Sequence, residues 1–190
     1  MKVKYIVLAV LAMFSFSGCD EEYAKVPLTV PVDFSKKGTV YETDFQAPWN
    51  IWGSRVEFYL FPQIDWTVEK RPSEQERYLS DEIRAGDTKT SPHFKIKITL
   101  TPLGWASHEV PIMLGQFGSR KEKLYTKGQV IEEIVSVPLY GGGSSKTIMI
   151  ADLQRLRNYH VRVESLEDVE LPNFERLHIK FGIGRFDRKI

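Results

Sequence analysis

The sequence predicts an all-β protein, a single immunoglobulin-like antiparallel β-sandwich of about nine strands with one short helical excursion. Three observations carry this. Short runs with alternating apolar and polar residues recur along the chain, separated by turn signals. Helix-period patterning is confined to a stretch after Pro72. Leu156-Arg157-Asn158-Tyr159 precedes the alternation of Val161 and Val163 with His160, Arg162 and Glu164, as a tyrosine corner introduces a late strand in immunoglobulin-like sandwiches.

The first element is an address. Lys2 and Lys4 precede an apolar run from Tyr5 to Phe16 that closes on Ser17-Gly18-Cys19, the layout of a bacterial secretory signal. The run falls short of the about 20 apolar residues that span a bilayer. Ser17-Gly18-Cys19 resembles a lipobox, where bacterial lipoproteins are cut and lipidated. Phe16 departs from the Leu, Val or Ile preferred there, but the single cysteine of the 190 residues stands at the lipidated position. The expectation is a lipoprotein signal peptide over residues 1–18 and a lipid on Cys19. Residues 19–26 then form an acidic tether through Asp20, Glu21 and Glu22, and residues 27–190 the sandwich. More than one acyl chain is needed for stable anchoring. The expected location is the cell envelope, lipid-anchored to the inner or outer membrane, periplasmic or surface-exposed. Acidic residues after the cysteine resemble two sorting signals, inner-membrane retention in enterobacteria and surface export in the Bacteroidetes.

The strands follow in order. Val26–Phe34 is strand-like, and in Gly38–Ala47 Tyr41, Thr43 and Phe45 alternate with Glu42, Asp44 and Gln46. Arg55–Phe61 is apolar on both faces, through Val56, Phe58 and Leu60 on one and Tyr59 and Phe61 on the other, which predicts a central or covered strand. Ser73 with Glu76 fits a capping box, so Glu74–Leu79 predicts one or two helical turns within a polar excursion between Gln63 and Pro92. His93–Thr101 has the cleanest period of two, with Phe94, Ile96, Ile98 and Leu100 inward. Further strands are expected at Glu109–Gln116, Gln129–Leu139, Thr147–Ala151, Tyr159–Ser165 and Leu177–Ile183, with a turn at Gly141-Gly142-Gly143.

Lys37-Gly38-Thr39-Val40 followed by Glu42 and Phe45, the aromatic strand through Phe58, the run from Tyr159 to Asp168, and the closing Phe181-Gly182-Ile183-Gly184 together resemble a family of small proteobacterial envelope lipoproteins known as a domain of unknown function. The resemblance covers nearly the whole chain after the signal and rests on strand and turn positions. It implies an envelope lipoprotein with a β-sandwich and carries over no catalytic residue.

Composition and motifs narrow the chemistry. Lysines and arginines number 26 against 25 aspartates and glutamates, and losing Lys2 and Lys4 with the signal leaves 24 against 25. That balance removes the basic excess of a general nucleic-acid binder. His93, His108, His160 and His178 have no metal-pair spacing, and three of them fall on outward strand positions, so no metal site is expected. Gly141 to Thr147 departs from a phosphate-binding loop because Ser145, not glycine, precedes Lys146 and a strand follows. No Gly-x-Ser-x-Gly elbow is present, and the acidic run Glu164, Glu167, Asp168, Glu170 lacks the alternation of a calcium loop. No cofactor and no catalytic residue are expected.

Two candidate binding surfaces remain. Trp49 and Trp52 lie in a loop, either as a core plug or as a binding hot spot. The outward positions Lys95 and Lys97, Arg162, and Lys180, with His93, His160 and His178, form one basic sheet face if their three strands are neighbours. The expected function is a non-enzymatic, membrane-anchored lipoprotein that binds a protein partner through its sandwich. Its specific form is an immunity protein against an antibacterial toxin, by analogy with other small envelope lipoproteins. The alternative is a structural or assembly accessory of the envelope with no toxin partner, and an enzyme with a spatially assembled site is the third class.

Overall fold

A computed structural model describes residues 23–49, 55–64, 72–104, 110–114, 121–125, 129–141, 143–172 and 177–185, with 110–114 and 121–125 as backbone only. Residues 1–18, expected as a signal, Cys19, the acidic residues 20–22, Trp52 and His108 lie outside them. The described residues fold as ten antiparallel strands: β1 (Leu28–Pro31), β2 (Val40–Gln46), β3 (Arg55–Ile64), β4 (His93–Pro102), β5 (Val110–Leu114), β6 (Lys121–Tyr125), β7 (Ile131–Pro138), β8 (Lys146–Asp152), β9 (Asn158–Ser165) and β10 (Leu177–Arg185). They form a sandwich, a six-stranded sheet in the order β1-β10-β3-β8-β5-β6 and a four-stranded sheet in the order β2-β9-β4-β7. The chain changes sheets between β9 and β10, so the likeness to immunoglobulin domains is one of architecture.

The described residues hold one strand more than the nine expected. β6 reads Lys-Glu-Lys-Leu-Tyr, without an apolar alternation to betray it, and among the described residues it pairs with β5 alone, at the edge of the large sheet. Charged side chains are common on edges because they discourage pairing with another molecule. The strand β3, apolar on both faces, lies centrally between β10 and β8, as its pattern predicts. Its outer aromatic Tyr59 lies over Gly182, where an added Cβ would stand 2.3 Å from the ring. That glycine leaves room for a ring on the sheet face.

The core fills the space between the sheets. Phe94, Ile96, Ile98 and Leu100 of β4, Val161 and Val163 of β9, and Phe58, Leu60, Phe181 and Ile183 of the facing sheet have no exposed surface. Phe45 meets Phe58 edge-on at 5.9 Å and stacks on Tyr159 at 5.9 Å. Burying each such side chain stabilises by about 1.5–3 kcal/mol.

The helix α1 runs over Glu74–Ala85 and is longer than the one or two turns expected. Its start is the predicted capping box: the Glu76 N–H donates to Ser73 Oγ at 3.2 Å, and the Ser73 N–H donates to Glu76 Oε2 at 2.8 Å. It continues past Leu79 because Leu79 and Ile83, one turn apart, are both buried.

Candidate functional site

The expected basic face does not form. Lys95 and Lys97 on β4 and Arg162 on β9 do share the outer face of the four-stranded sheet, since β4 and β9 are neighbours. Lys180 and His178 lie on β10 in the opposite sheet, where Lys180 Nζ donates to Gln63 Oε1 at 2.7 Å. The remaining cations are matched by carboxylates from β2, β7, β9 and the segment just after β9. Lys95 pairs with Glu167, Lys97 with Glu132 at 2.9 Å, and Arg162 with Glu42 at 3.0 Å and Glu164 at 3.6 Å. His160 meets Asp44 at 2.6 Å directly across the β2–β9 ladder. The inner strands β9 and β4 supply the cations and the flanking strands β2 and β7 most of the carboxylates, a pattern that favours pairing at about 0.2–1 kcal/mol per cross-strand pair and leaves little field at a distance.

The tyrosine corner is present. Tyr159 is 1% exposed, and its hydroxyl accepts the Gln154 N–H at 3.0 Å, five residues upstream. Burial pushes this phenol up to about 12, so it remains protonated across the physiological range. The bond fixes the turn Gln154 to Arg157 at the end of the sandwich, and further backbone bonds lock it to the segment after β2: Leu156 N–H to Ala47 O at 3.0 Å and Ala47 N–H to Arg157 O at 2.9 Å.

This locked turn carries an exposed apolar and cationic tip. Leu156 has φ 56°, a left-handed conformation that β- and γ-branched residues rarely adopt, and is 50% exposed. Trp49 is 59% exposed, so its ring is no core plug, and the Arg155 guanidinium lies 5.7 Å from the ring centroid. Leu153 to Arg157 line a shallow cleft of about 650 Å³ beside it. Of the sequence candidates Trp49 lies here, and its companions Arg155 and Leu156 were missed. Arg155 and Leu156 read as ordinary turn residues, because no local pattern reveals a left-handed leucine.

A second group legible only in three dimensions is Lys146. Between Phe58 and Tyr59 the β3–β8 register shifts by one residue, pairing Lys146 with the inward Leu60. A bulge of this kind turns the following side chains to the other face. The Lys146 ammonium is fully buried and donates to the carbonyls of Ile83 at 2.6 Å, Gly143 at 2.6 Å and Gly141. Burial lowers its pKa to about 8, which keeps it charged at neutral pH. The glycine loop superficially like a phosphate cradle therefore presents carbonyls to an internal cation, which also neutralises the negative end of α1. Among the described residues no three His, Cys, Asp or Glu side chains converge to hold a metal, and no helix is long and apolar enough to cross a membrane.

No protein-family model matches the chain, and no curated protein does. Among solved structures it is similar to the crystal structure of a protein from Sulfurospirillum deleyianum, over 87% of this chain and 100% of that one, at a TM-score of 0.54 and 15% identity. Likeness at that identity is one of fold alone. The decameric BFDV capsid protein matches over 82% of this chain and 98% of its own, at a TM-score of 0.30 and 9% identity.

Proposed function

We propose that this protein is a non-enzymatic envelope lipoprotein, anchored through a lipid on Cys19, that binds a protein partner through the tyrosine-corner tip of its sandwich. The observation that carries the binding half is the rigid tip itself. Leu156 and Arg155 stand on a turn fixed by the Tyr159 hydroxyl and by backbone bonds, and Trp49, exposed after β2, lies beside Arg155. Tryptophan and arginine are enriched among the residues that carry interface energy, tryptophan through its large rigid ring and arginine through its planar multi-donor guanidinium. A preorganised turn also loses little entropy on docking. The left-handed backbone at Leu156 favours the same reading, since such strain persists where it presents a side chain for use. The anchor half rests on the lipobox-like Ser17-Gly18-Cys19. The balanced outer face of the four-stranded sheet moves the candidate surface from Lys95, Lys97 and Arg162 to this tip. Immunity against an antibacterial toxin is the specific form of the reading.

A photo-crosslinking residue at position 49, in the full-length protein in intact cells, tests the binding half. A discrete protein adduct that disappears in Arg155→Ala is the expected result. No adduct, or one indifferent to Arg155, would sink it and leave the accessory role. Cys19→Ala tests the anchor, and an unchanged membrane fraction would defeat that half. For immunity, deleting the gene should sensitise cells to a toxin encoded beside it.

A further inference from the structure

A second surface lies away from the corner tip, along α1. Glu74, Tyr78 and Glu82 are spaced by four residues and so form one stripe on the helix. Leu79 lies beside them, and Tyr140, from the β7–β8 connection, and Pro172 complete a groove of about 640 Å³. Tyr78 is 69% exposed and Tyr140 half-buried, and the Glu82 carboxylate beside Tyr78 raises the pKa of that phenol. Among the described residues the lining holds two carboxylates, two phenol rings and an apolar floor, and no lysine or arginine. Among the described residues neither Glu74 nor Glu82 has a cation within ion-pair distance. This contrasts with the outer face of the four-stranded sheet, where the lysines and the arginine have carboxylates beside them.

We propose that this groove binds an extended segment of a partner protein carrying two basic side chains that flank an apolar one. Charge complementarity selects the cations, since ammonium and guanidinium groups are attracted both to carboxylates and to the faces of tyrosine rings. Geometry selects their spacing. Glu74 and Glu82 are eight helical residues apart, or about 12 Å along the axis. An extended chain covers about 13 Å in four residues, and positions one, three and five share a face. A Lys-x-Leu-x-Lys pattern therefore sets one lysine at each carboxylate and the leucine over Leu79 between Tyr78 and Tyr140. A free small cation satisfies one carboxylate and leaves the apolar floor in water, so a peptide fits the full lining.

The test uses the full-length protein in detergent and a fluorescent peptide Lys-Ala-Leu-Ala-Lys with blocked ends, followed by anisotropy. Saturable binding is expected, weakening as salt rises. Glu74→Gln with Glu82→Gln should reduce affinity roughly tenfold or more, as should Tyr78→Ala, whose exposed ring is dispensable for folding. A peptide with glutamate for lysine should not bind. Trp49→Ala should bind as wild type does, which separates this groove from the corner tip. No saturable binding, or equal binding to the double glutamine variant, overturns the proposal. Competition by tetramethylammonium as effective as by unlabelled peptide would overturn the peptide as occupant and leave a small-cation site.

Discussion

Replacing Lys146 by methionine removes the charge and its three donors while nearly preserving side-chain length. Two of the accepting carbonyls, Ile83 and Gly141, meet the ammonium in fully buried bonds, and the third, Gly143, in a partly buried one that water can replace. Leaving a buried acceptor without a donor costs about 1–3 kcal/mol, so two give about 2–6. Relief from burying a charge offsets part of this, and the expected net loss is about 2–4 kcal/mol at pH 7. For a chain of this size that lowers the melting midpoint by roughly 5–15 °C. Urea unfolding followed by tryptophan fluorescence measures it. The pH dependence supplies an independent check. The folded state holds the Lys146 proton less tightly than the unfolded chain, at about 8 against 10.5. The unfolded state therefore carries more protons between these values, and this group makes stability rise with pH there, by up to about 3 kcal/mol. The useful window is pH 8 to 10. Above it the raised phenols of Tyr78, Tyr140 and Tyr159 act oppositely, since they stay protonated in the fold while the unfolded chain ionises. Lys146→Met should abolish the rise. A loss below about 1 kcal/mol at pH 7, together with an unchanged alkaline limb, would refute the clamp.

Tyr159→Phe deletes the hydroxyl that accepts the Gln154 N–H and should lower stability by about 0.5–1.5 kcal/mol in the same assay; an unchanged midpoint would remove the corner bond from the list of stabilising contacts. Gly182→Ala places a methyl against the Tyr59 ring and should cost about 1–3 kcal/mol, and a double-mutant cycle with Tyr59→Ala should recover part of it. Arg162→Ala, which removes an exposed cross-strand pair, should change stability by less than about 1 kcal/mol, and that small change should shrink further in high salt. Ser73→Ala breaks the capping box and should weaken α1 by about 1 kcal/mol, seen as faster hydrogen exchange in its first turn.

Much of this protein is determined locally, and that part was legible. The period-two runs of β2, β4 and β9 fix which side chains face inward, because a strand that buries one face tolerates no other phase. The capping box and the tyrosine corner are short-range devices whose partners lie within five residues, so sequence spacing alone reveals them. The candidate sites were harder to read because they depend on which strands meet. Lys95, Lys97, Arg162 and Lys180 share an outward phase, yet only the crossing of the chain between β9 and β10 decides that Lys180 belongs to the other sheet. The carboxylates that neutralise the first three come from segments distant in the chain. Trp49 was visible as a loop aromatic, whereas its neighbour Arg155 is brought to it by β2–β9 pairing across about a hundred residues. Lys146 shows the limit most clearly. Its sequence context is an ordinary polar strand start, and a single-residue register shift against β3 turns it into the core beside the end of α1. Local alternation sets the faces of each strand; register and sheet order, which only long-range packing determines, set what each face meets.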